Sequence, residues 1–229
     1  MRERLERLVE ERERALAGFL DREGERLSLA CHALARGFAR GGTLVAYGEG
    51  AAETDAAHVA VEFMHPVIVG KRALPALAPP NDVLALARPG DAAVGLAHAG
   101  PEPVDAFLAE CSRRGLLTLA FTGRGSVTAD FAFTVGHDDE SIVQEVQETA
   151  YHVLWELVHV FFEHPGLLAD ACITCGDVAV EARVVAVERH TATIEKDGTR
   201  EQVALELVEP VAVGDVLLCH AGVALERLS

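Results

Sequence analysis

The stretch Thr43–Phe63, TLVAYGEGAAETDAAHVAVEF, decides the fold. Its opening TLVAY is an apolar run suited to a buried strand. Gly48 and Gly50 then turn the chain, and a helix is expected from about residue 53 to 64. Glycine-rich turns between a strand and a helix commonly cradle an anion, because the backbone N–H groups of the helix start point at it. This turn instead carries Glu49, Glu53 and Asp55, and no serine. Glu53 and Asp55 have a simple alternative role, since acidic side chains in a first helical turn interact favourably with the helix dipole. His58 and Glu62 are four residues apart and share a helix face, as a metal-binding pair or as a plain surface or core contact.

Outward from this unit, strands and helices alternate. Short strands are expected at PVIVG (66–70), DVLALA (82–87), AAVGLAH (92–98), LLTLAFT (116–122) and FAFTV (131–135). PEPVDAFLAECSRRG reads as a helix with Pro near its start and Gly after its end. A long helix over roughly 139–163 closes the region. Such alternation implies right-handed crossovers, a mainly parallel sheet and a three-layer α/β domain. Ahead of it, Leu5, Leu8, Val9, Leu16, Phe19 and Leu20 recur at helical spacing; Leu27, Ala30, Cys31, Leu34 and Phe38 resume the pattern after Gly24. This predicts one long bent helix or two short ones, packed on its own domain or on a second subunit.

After about residue 170 the texture changes to short, β-branched, alternating segments with a KDGT hairpin turn and a VGD turn. About 50 residues of strands without helices suggest a small OB-like β-barrel. The expected domains are 1–165 and 171–229.

The chain has 229 residues, half of them apolar, and a formal charge of −16. That charge argues against nucleic acid or an anionic membrane as partner, because both need clustered Lys and Arg. No apolar run approaches the ~20 residues that span a bilayer, and the first residues, MRERLERLVEERERALAG, lack the apolar centre of a signal peptide. The expected location is cytoplasmic. Cys31, Cys111, Cys172, Cys175 and Cys219 are then expected reduced, with CITC at 172–175 the one close pair.

A second polar row lies on the closing helix: Gln144, Glu148 and His152, each four apart. At ~1.5 Å per residue, Gln144 and His152 are about 12 Å apart along the axis, so their side chains only just reach a common ion. Spacing permits a site without requiring one.

The runs VAYGEGAAETDAAHVAVEFMHP, RALPALAP and ADFAFTVGHDDESIVQEVQETAYHVLWELVHVFFE together resemble the sugar isomerase (SIS) fold, in its phosphoheptose isomerase branch, over roughly residues 1–163. That branch has a GNGGSxxDAxHxxxE motif after its first strand and QExxxxxxH on its last helix. The resemblance implies zinc at His58, Glu62, Gln144 and His152, with Glu62 and His152 also serving as base and acid for proton transfer between the carbons of an open-chain sugar. It also implies a ligand loop of Gly48, Glu49, Gly50, Ala52 and Asp55. Here, however, Glu49 and Ala52 replace the family's Asn and Ser. AHAGPE, with Ala97 and Ala99, replaces a second cradle resembling STSGNS. A carboxylate ~4 Å from a phosphate costs about 4 kcal/mol at an effective dielectric of 20. Phosphate binding would need compensation, with Arg72 and Arg124 the candidates. The quartet is thus either a retained metal or ligand site or a relict.

The C-terminal segment resembles the HypC/HupF hydrogenase maturation chaperones, with GDVLLCHAG the most specific piece. In that family a cysteine and a histidine are implicated in holding iron. The histidine carries over to His220. The cysteine carries over to Cys172 or Cys175, because the family's usual start is missing here. Thiolate and imidazole donors suit Fe(II) or Zn(II). Alternation along VLLCH points Cys219 and His220 to opposite faces, leaving Cys219 as a small core residue.

Two functions follow as expectations. One is a hydrogenase maturation accessory protein, an iron or partner-protein chaperone whose isomerase-like domain is a metal-binding, homo-oligomeric (dimer or tetramer) platform. Its partners would be hydrogenase maturation proteins or the hydrogenase large subunit. The other is a zinc-dependent aldose–ketose isomerase acting on heptulose phosphates. A redox or scaffold protein using the CxxC is a third class.

Overall fold

The computed structural model describes residues 1–78, 83–164, 168, 179–196, 198–208, 210–220 and 222–228. Its contacts divide the chain into two units, Met1–Glu156 and Leu157–Ser229. Residue 168 apart, the expected boundary between residues 165 and 171 lies outside the described residues, as do Cys172 and Cys175.

The first unit opens with α1 (Arg2–Ala39), a single continuous helix. Gly24 lies within it without breaking it, because one glycine costs only about 1 kcal/mol while the apolar stripe on either side is buried in common. Phe19, Leu27, Ala30, Cys31, Leu34, Ala35 and Phe38 form that buried stripe. Leu5, Leu8 and Val9 near its start are exposed.

The strands β1 (Leu44–Gly48), β2 (Ala76–Leu77), β3 (Ala92–Ala97), β4 (Leu117–Thr122) and β5 (Phe131–Thr134) form one sheet in the order β2-β1-β3-β4-β5. Every pairing in it is parallel. The helices α2 (Ala52–Met64), α3 (Glu102–Arg113) and α4 (Glu140–Glu163) connect or close the sheet. All six residues of β3 are buried, as expected for a strand covered on both faces. Val104, Phe107, Leu108 and Cys111 of α3 pack on Val45, Ala93, Ala97 and Ala120 of the sheet.

Two expected strands are corrected. Residues 66–70 form no strand, and Val67 and Val69 stand in solvent. The edge position beside β1 is taken instead by Ala76 and Leu77, registered against Leu44 and Val45. Pro66 has no N–H to give to a ladder, whereas Leu74 and Ala76 bury almost completely. Val83–Ala85 is a short 3-10 turn rather than part of a strand over 82–87.

The order 2-1-3-4-5 reverses direction between β1 and β3. In open parallel sheets a crevice forms outside the carboxyl ends of the strands at such a reversal. Here those ends are Gly48 and Ala97, the positions of the two altered loops.

In the second unit, β6 (Val180–Glu188), β7 (Thr191–Lys196), β8 (Thr199–Ala204), β9 (Val216–His220) and β10 (Val223–Arg227) close into a barrel in the order β10-β8-β7-β6-β9. Lys196 pairs with Thr199 at the expected hairpin, where Gly198 adopts φ 79°. Ala182, Val184, Ile194, Val203, Leu217 and Cys219 are part of the barrel core. Burial pushes the Cys219 thiol up to about 12, with the charge of Glu201 adding to the effect.

Candidate functional site

The turn after β1 is built by its glycines. A side chain on Gly48 would put its Cβ 2.3 Å from the Ala52 carbonyl oxygen, so strand and helix can approach this closely only through glycine. Gly50 takes φ 61°, the left-handed conformation glycine adopts without penalty. Outside this turn lies a cleft of about 450 Å³, lined by Tyr47, Gly48, Glu49, Gly50, Glu53 and Ala78 among others. The Tyr47 hydroxyl donates to Glu49. That hydrogen bond, helped by burial and by the Glu49 charge, pushes the Tyr47 phenol up to about 12.

Of the five ligand-loop residues, Gly48, Glu49 and Gly50 face the cleft. Ala52 and Asp55 are buried. Asp55 meets His98 Nε2 at 2.7 Å, and the Gln144 amide donates to both its oxygens at 3.2 and 3.3 Å. His98 follows the end of β3 in the second altered loop and is 7% exposed. The loop in which the family resemblance implies hydroxyls for a phosphate thus holds His98, paired with the buried carboxylate of Asp55. Arg124, one candidate for compensating a phosphate, pairs with Asp138 at 2.8 Å.

The helices α2 and α4 place the members of the quartet as follows. His58 Nε2 lies 3.3 Å from Glu62 Oε1, and His152 Nε2 lies 4.0 Å from the same oxygen. The rings of His58 and His152 stand edge-on with centroids 5.1 Å apart. The fourth member, Gln144, turns its amide nitrogen to Asp55. Glu148, one helical turn from both Gln144 and His152, approaches His58 Nδ1 at 3.6 Å. Ligand atoms of His58, Glu148 and His152 all lie within 4.8 Å of one another. Two imidazoles and a carboxylate form a donor set suited to a borderline divalent cation.

Three contributors escape a reading of spacing alone. Tyr151 places its hydroxyl 2.9 Å from His58 Nδ1. Burial raises its phenol well above the ordinary tyrosine range, reinforced by the charges of Asp55, Glu148 and Glu62. Gln147 donates to the Ala97 carbonyl at 3.0 Å and ties α4 to the end of β3. His98 was visible as a lone polar residue among small ones, but its partner lies 43 positions earlier.

In the barrel unit, Cys219 joins the core while His220 is also fully buried. Among the described residues, neither ring nitrogen of His220 has a hydrogen-bond partner.

Comparison with known proteins accounts for both units. Residues 178–229 match the HupF/HypC family. The chain is 34% identical to a phosphoheptose isomerase of Desulfovibrio desulfuricans over 157 residues, covering 57% of this chain and 75% of that protein. It is 33% identical to the phosphoheptose isomerase of Solidesulfovibrio magneticus over 180 residues, covering 68% and 88% respectively. Among solved structures, the phosphoheptose isomerase of Neisseria gonorrhoeae superposes with a TM-score of 0.61 at 20% identity, over 69% of this chain and 98% of that one, a likeness of fold. The fold and the sequence relatives agree: the chain belongs to the phosphoheptose isomerase family, with a HupF/HypC segment joined after it.

Proposed function

We propose that this chain is an accessory protein of hydrogenase maturation. Its HupF/HypC segment handles iron or partner proteins, and its isomerase-type domain serves as a metal-binding, homo-oligomeric platform in the cytoplasm. The observation that carries this reading is His220, placed in that segment, fully buried and without a hydrogen-bond partner among the described residues. An unsatisfied buried polar group costs about 1–3 kcal/mol, so its retention is best explained by a ligand or partner that completes it. Iron here is cargo, and Cys172 or Cys175 is the thiolate proposed to share it. The test is to purify the full chain with candidate maturation proteins and the hydrogenase large subunit, measuring iron and capture together. Wild type should bring down iron and at least one of these proteins, and His220→Ala should lose the iron. Absence of both from wild type rejects the reading.

A second reading, a zinc-dependent aldose–ketose isomerase, is favoured by the convergence of Glu62, His58 and His152 on one point. The donor set fits zinc, which when bound supplies a Lewis acid for a carbonyl oxygen. Glu62 would take the proton from the carbon beside the carbonyl and His152 would return a proton to the neighbouring carbon, by way of an enediol; the hydroxyl proton would pass from one oxygen to the other, and Glu62 would hand its proton to His152, 4.0 Å away, to close the cycle. Against a phosphorylated substrate stand Glu49 and Glu53 in the cleft and the buried His98–Asp55 pair in the second loop. Turnover of a heptulose phosphate that disappears in Glu62→Gln would establish this reading; no binding of sugar phosphates at millimolar concentration would dismiss it.

A further inference from the structure

The cleft outside β1 is rich in acceptors and poor in donors. Among the described residues its lining includes Glu49 and Glu53 but no Lys, Arg or His. Tyr47 is held by stacking on Phe107, with ring centroids 4.5 Å apart, and its hydroxyl donates to Glu49, which tethers that carboxylate beside the turn. Ala46, Ala56, Ala57 and Ala78 complete a wall of small side chains around the 450 Å³, a volume suited to a small metabolite. A separate observation comes from α4. Gln147 is 1% exposed, and its amide donates to the Ala97 carbonyl at 3.0 Å, at the end of β3 beside the end of β1. Its Oε1 is buried and has no hydrogen-bond partner among the described residues. A buried acceptor left in this way calls for an N–H or O–H donor. Groups that would receive an anion here are already engaged. His98 holds Asp55, and Arg124 pairs with Asp138. The carboxylate of Glu102, in the first turn of α3, lies against Gly100 where a side chain would otherwise stand. The negative charge that a helix start favours is thus supplied by the chain itself.

From these observations we infer that the cleft takes a small ligand bearing a primary ammonium group and no phosphate, with the ammonium held by Glu49 and Glu53. An ammonium group has N–H donors and no acceptor, so it complements an acceptor-only lining. Its hydrogen bonds to carboxylates are charge-assisted, and these are about twice as strong as neutral ones. A phosphate in the same place would bring further acceptors and like charge against both glutamates. The inference goes beyond both readings of function. It concerns the charge of the ligand, so a platform domain and an isomerase domain would both show it.

The test is titration calorimetry of the full chain in about 0.15 M salt, which screens the general field of a chain with formal charge −16. Two matched sets of probes differ within each set by one group: serinol, glycerol and glycerol phosphate, and glucosamine, glucose and glucose 6-phosphate. In at least one set the amine should bind about tenfold or more tighter than the alcohol, the scale of one charge-assisted hydrogen bond. The phosphate should bind more weakly than the alcohol. Glu49→Gln and Glu53→Gln should each reduce the preference for the amine, and the double variant should erase it. Glu181→Gln, at an exposed position of β6 in the barrel, should leave it unchanged. Circular dichroism checks that each variant is folded. The inference is overturned if neither amine binds at millimolar concentration, if amine and alcohol bind equally, or if a phosphate binds tightest. It is also overturned if the preference survives the double variant or is lost in Glu181→Gln. Iron content and capture of partner proteins are read separately, so failure here leaves the maturation reading standing.

Discussion

Asp55 and His98 form an enclosed polar contact near the site, at 2.7 Å and with both side chains below 8% exposure. Removing one member of such a pair strands the other. Asp55→Ala should therefore cost about 3–5 kcal/mol by chemical denaturation. The double variant Asp55→Ala/His98→Ala should cost less than the sum of the single variants, by at least about 1 kcal/mol. Additive losses would show that the two side chains act independently. At the cleft, Tyr47 gives a spectroscopic check, because the chain has only two tyrosines. Its hydrogen bond to Glu49, with burial and the Glu49 charge, holds the phenol at about 12 against an ordinary value of 10.0. A raised folded value means that the stabilising contribution is complete below pH 10 and fades as pH rises through about 12. Ultraviolet titration should find the first tyrosine ionising near 12, and Glu49→Gln should move that event toward 10. The residues that sequence could identify are those fixed by helical spacing: His58 with Glu62 on α2, and the row Gln144, Glu148, His152 on α4. Which member of that row faces His58 depends on how α2 and α4 pack, and no spacing within one helix encodes it. Tyr151 was hidden for the same reason.

At the scale of elements, periodicity gave α1, α2, α3 and α4 and the buried strands β3 and β4, because each has an apolar face or run that only one kind of element can bury. It failed where apolar residues lack such a partner. Val67 and Val69 are β-branched and adjacent to other apolar side chains, yet they remain in solvent, while the sheet edge uses the less conspicuous Ala76 and Leu77. Gly24 was read as a bend or a break, but α1 passes through it. Nothing lies within 4 Å of where its Cβ would stand. Gly24→Ala should accordingly raise stability by about 0.5–1 kcal/mol, through backbone entropy and helix propensity alone. A destabilised Gly24→Ala would show that the glycine serves a contact outside the single chain. The start of the same helix offers the exposed side chains of Leu5, Leu8 and Val9 to the proposed oligomer. Leu5→Glu/Leu8→Glu should lower the mass seen by sedimentation while leaving the circular dichroism spectrum intact. An unchanged mass would move the proposed interface elsewhere.

For the whole molecule, the question is whether two cores held by one chain respond to metal as one body or as two. The α/β unit and the closed barrel each have a hydrophobic core of their own, the first around Val45, Leu108 and Ala120 and the second around Val184, Ile194 and Leu217. A ligand that binds only a folded site stabilises that unit by RT ln(1 + [L]/Kd), about 2.7 kcal/mol at 100 times Kd. In a unit of this size, 1 kcal/mol shifts Tm by roughly 2–4 °C, so saturation should raise it by roughly 5–10 °C. Calorimetry of the full chain should show two transitions. Zinc should raise one of them, and a chelator should reverse the shift. His58→Ala should abolish it, while His220→Ala should leave it in place and act on the other transition. If zinc raised both transitions equally in His58→Ala, the ion would be stabilising the chain from some site other than the α2–α4 face. If it raised only the transition sensitive to His220→Ala, the metal chemistry would belong to the HupF/HypC segment. The isomerase-type domain would then act as a scaffold that keeps the family's fold without its ion.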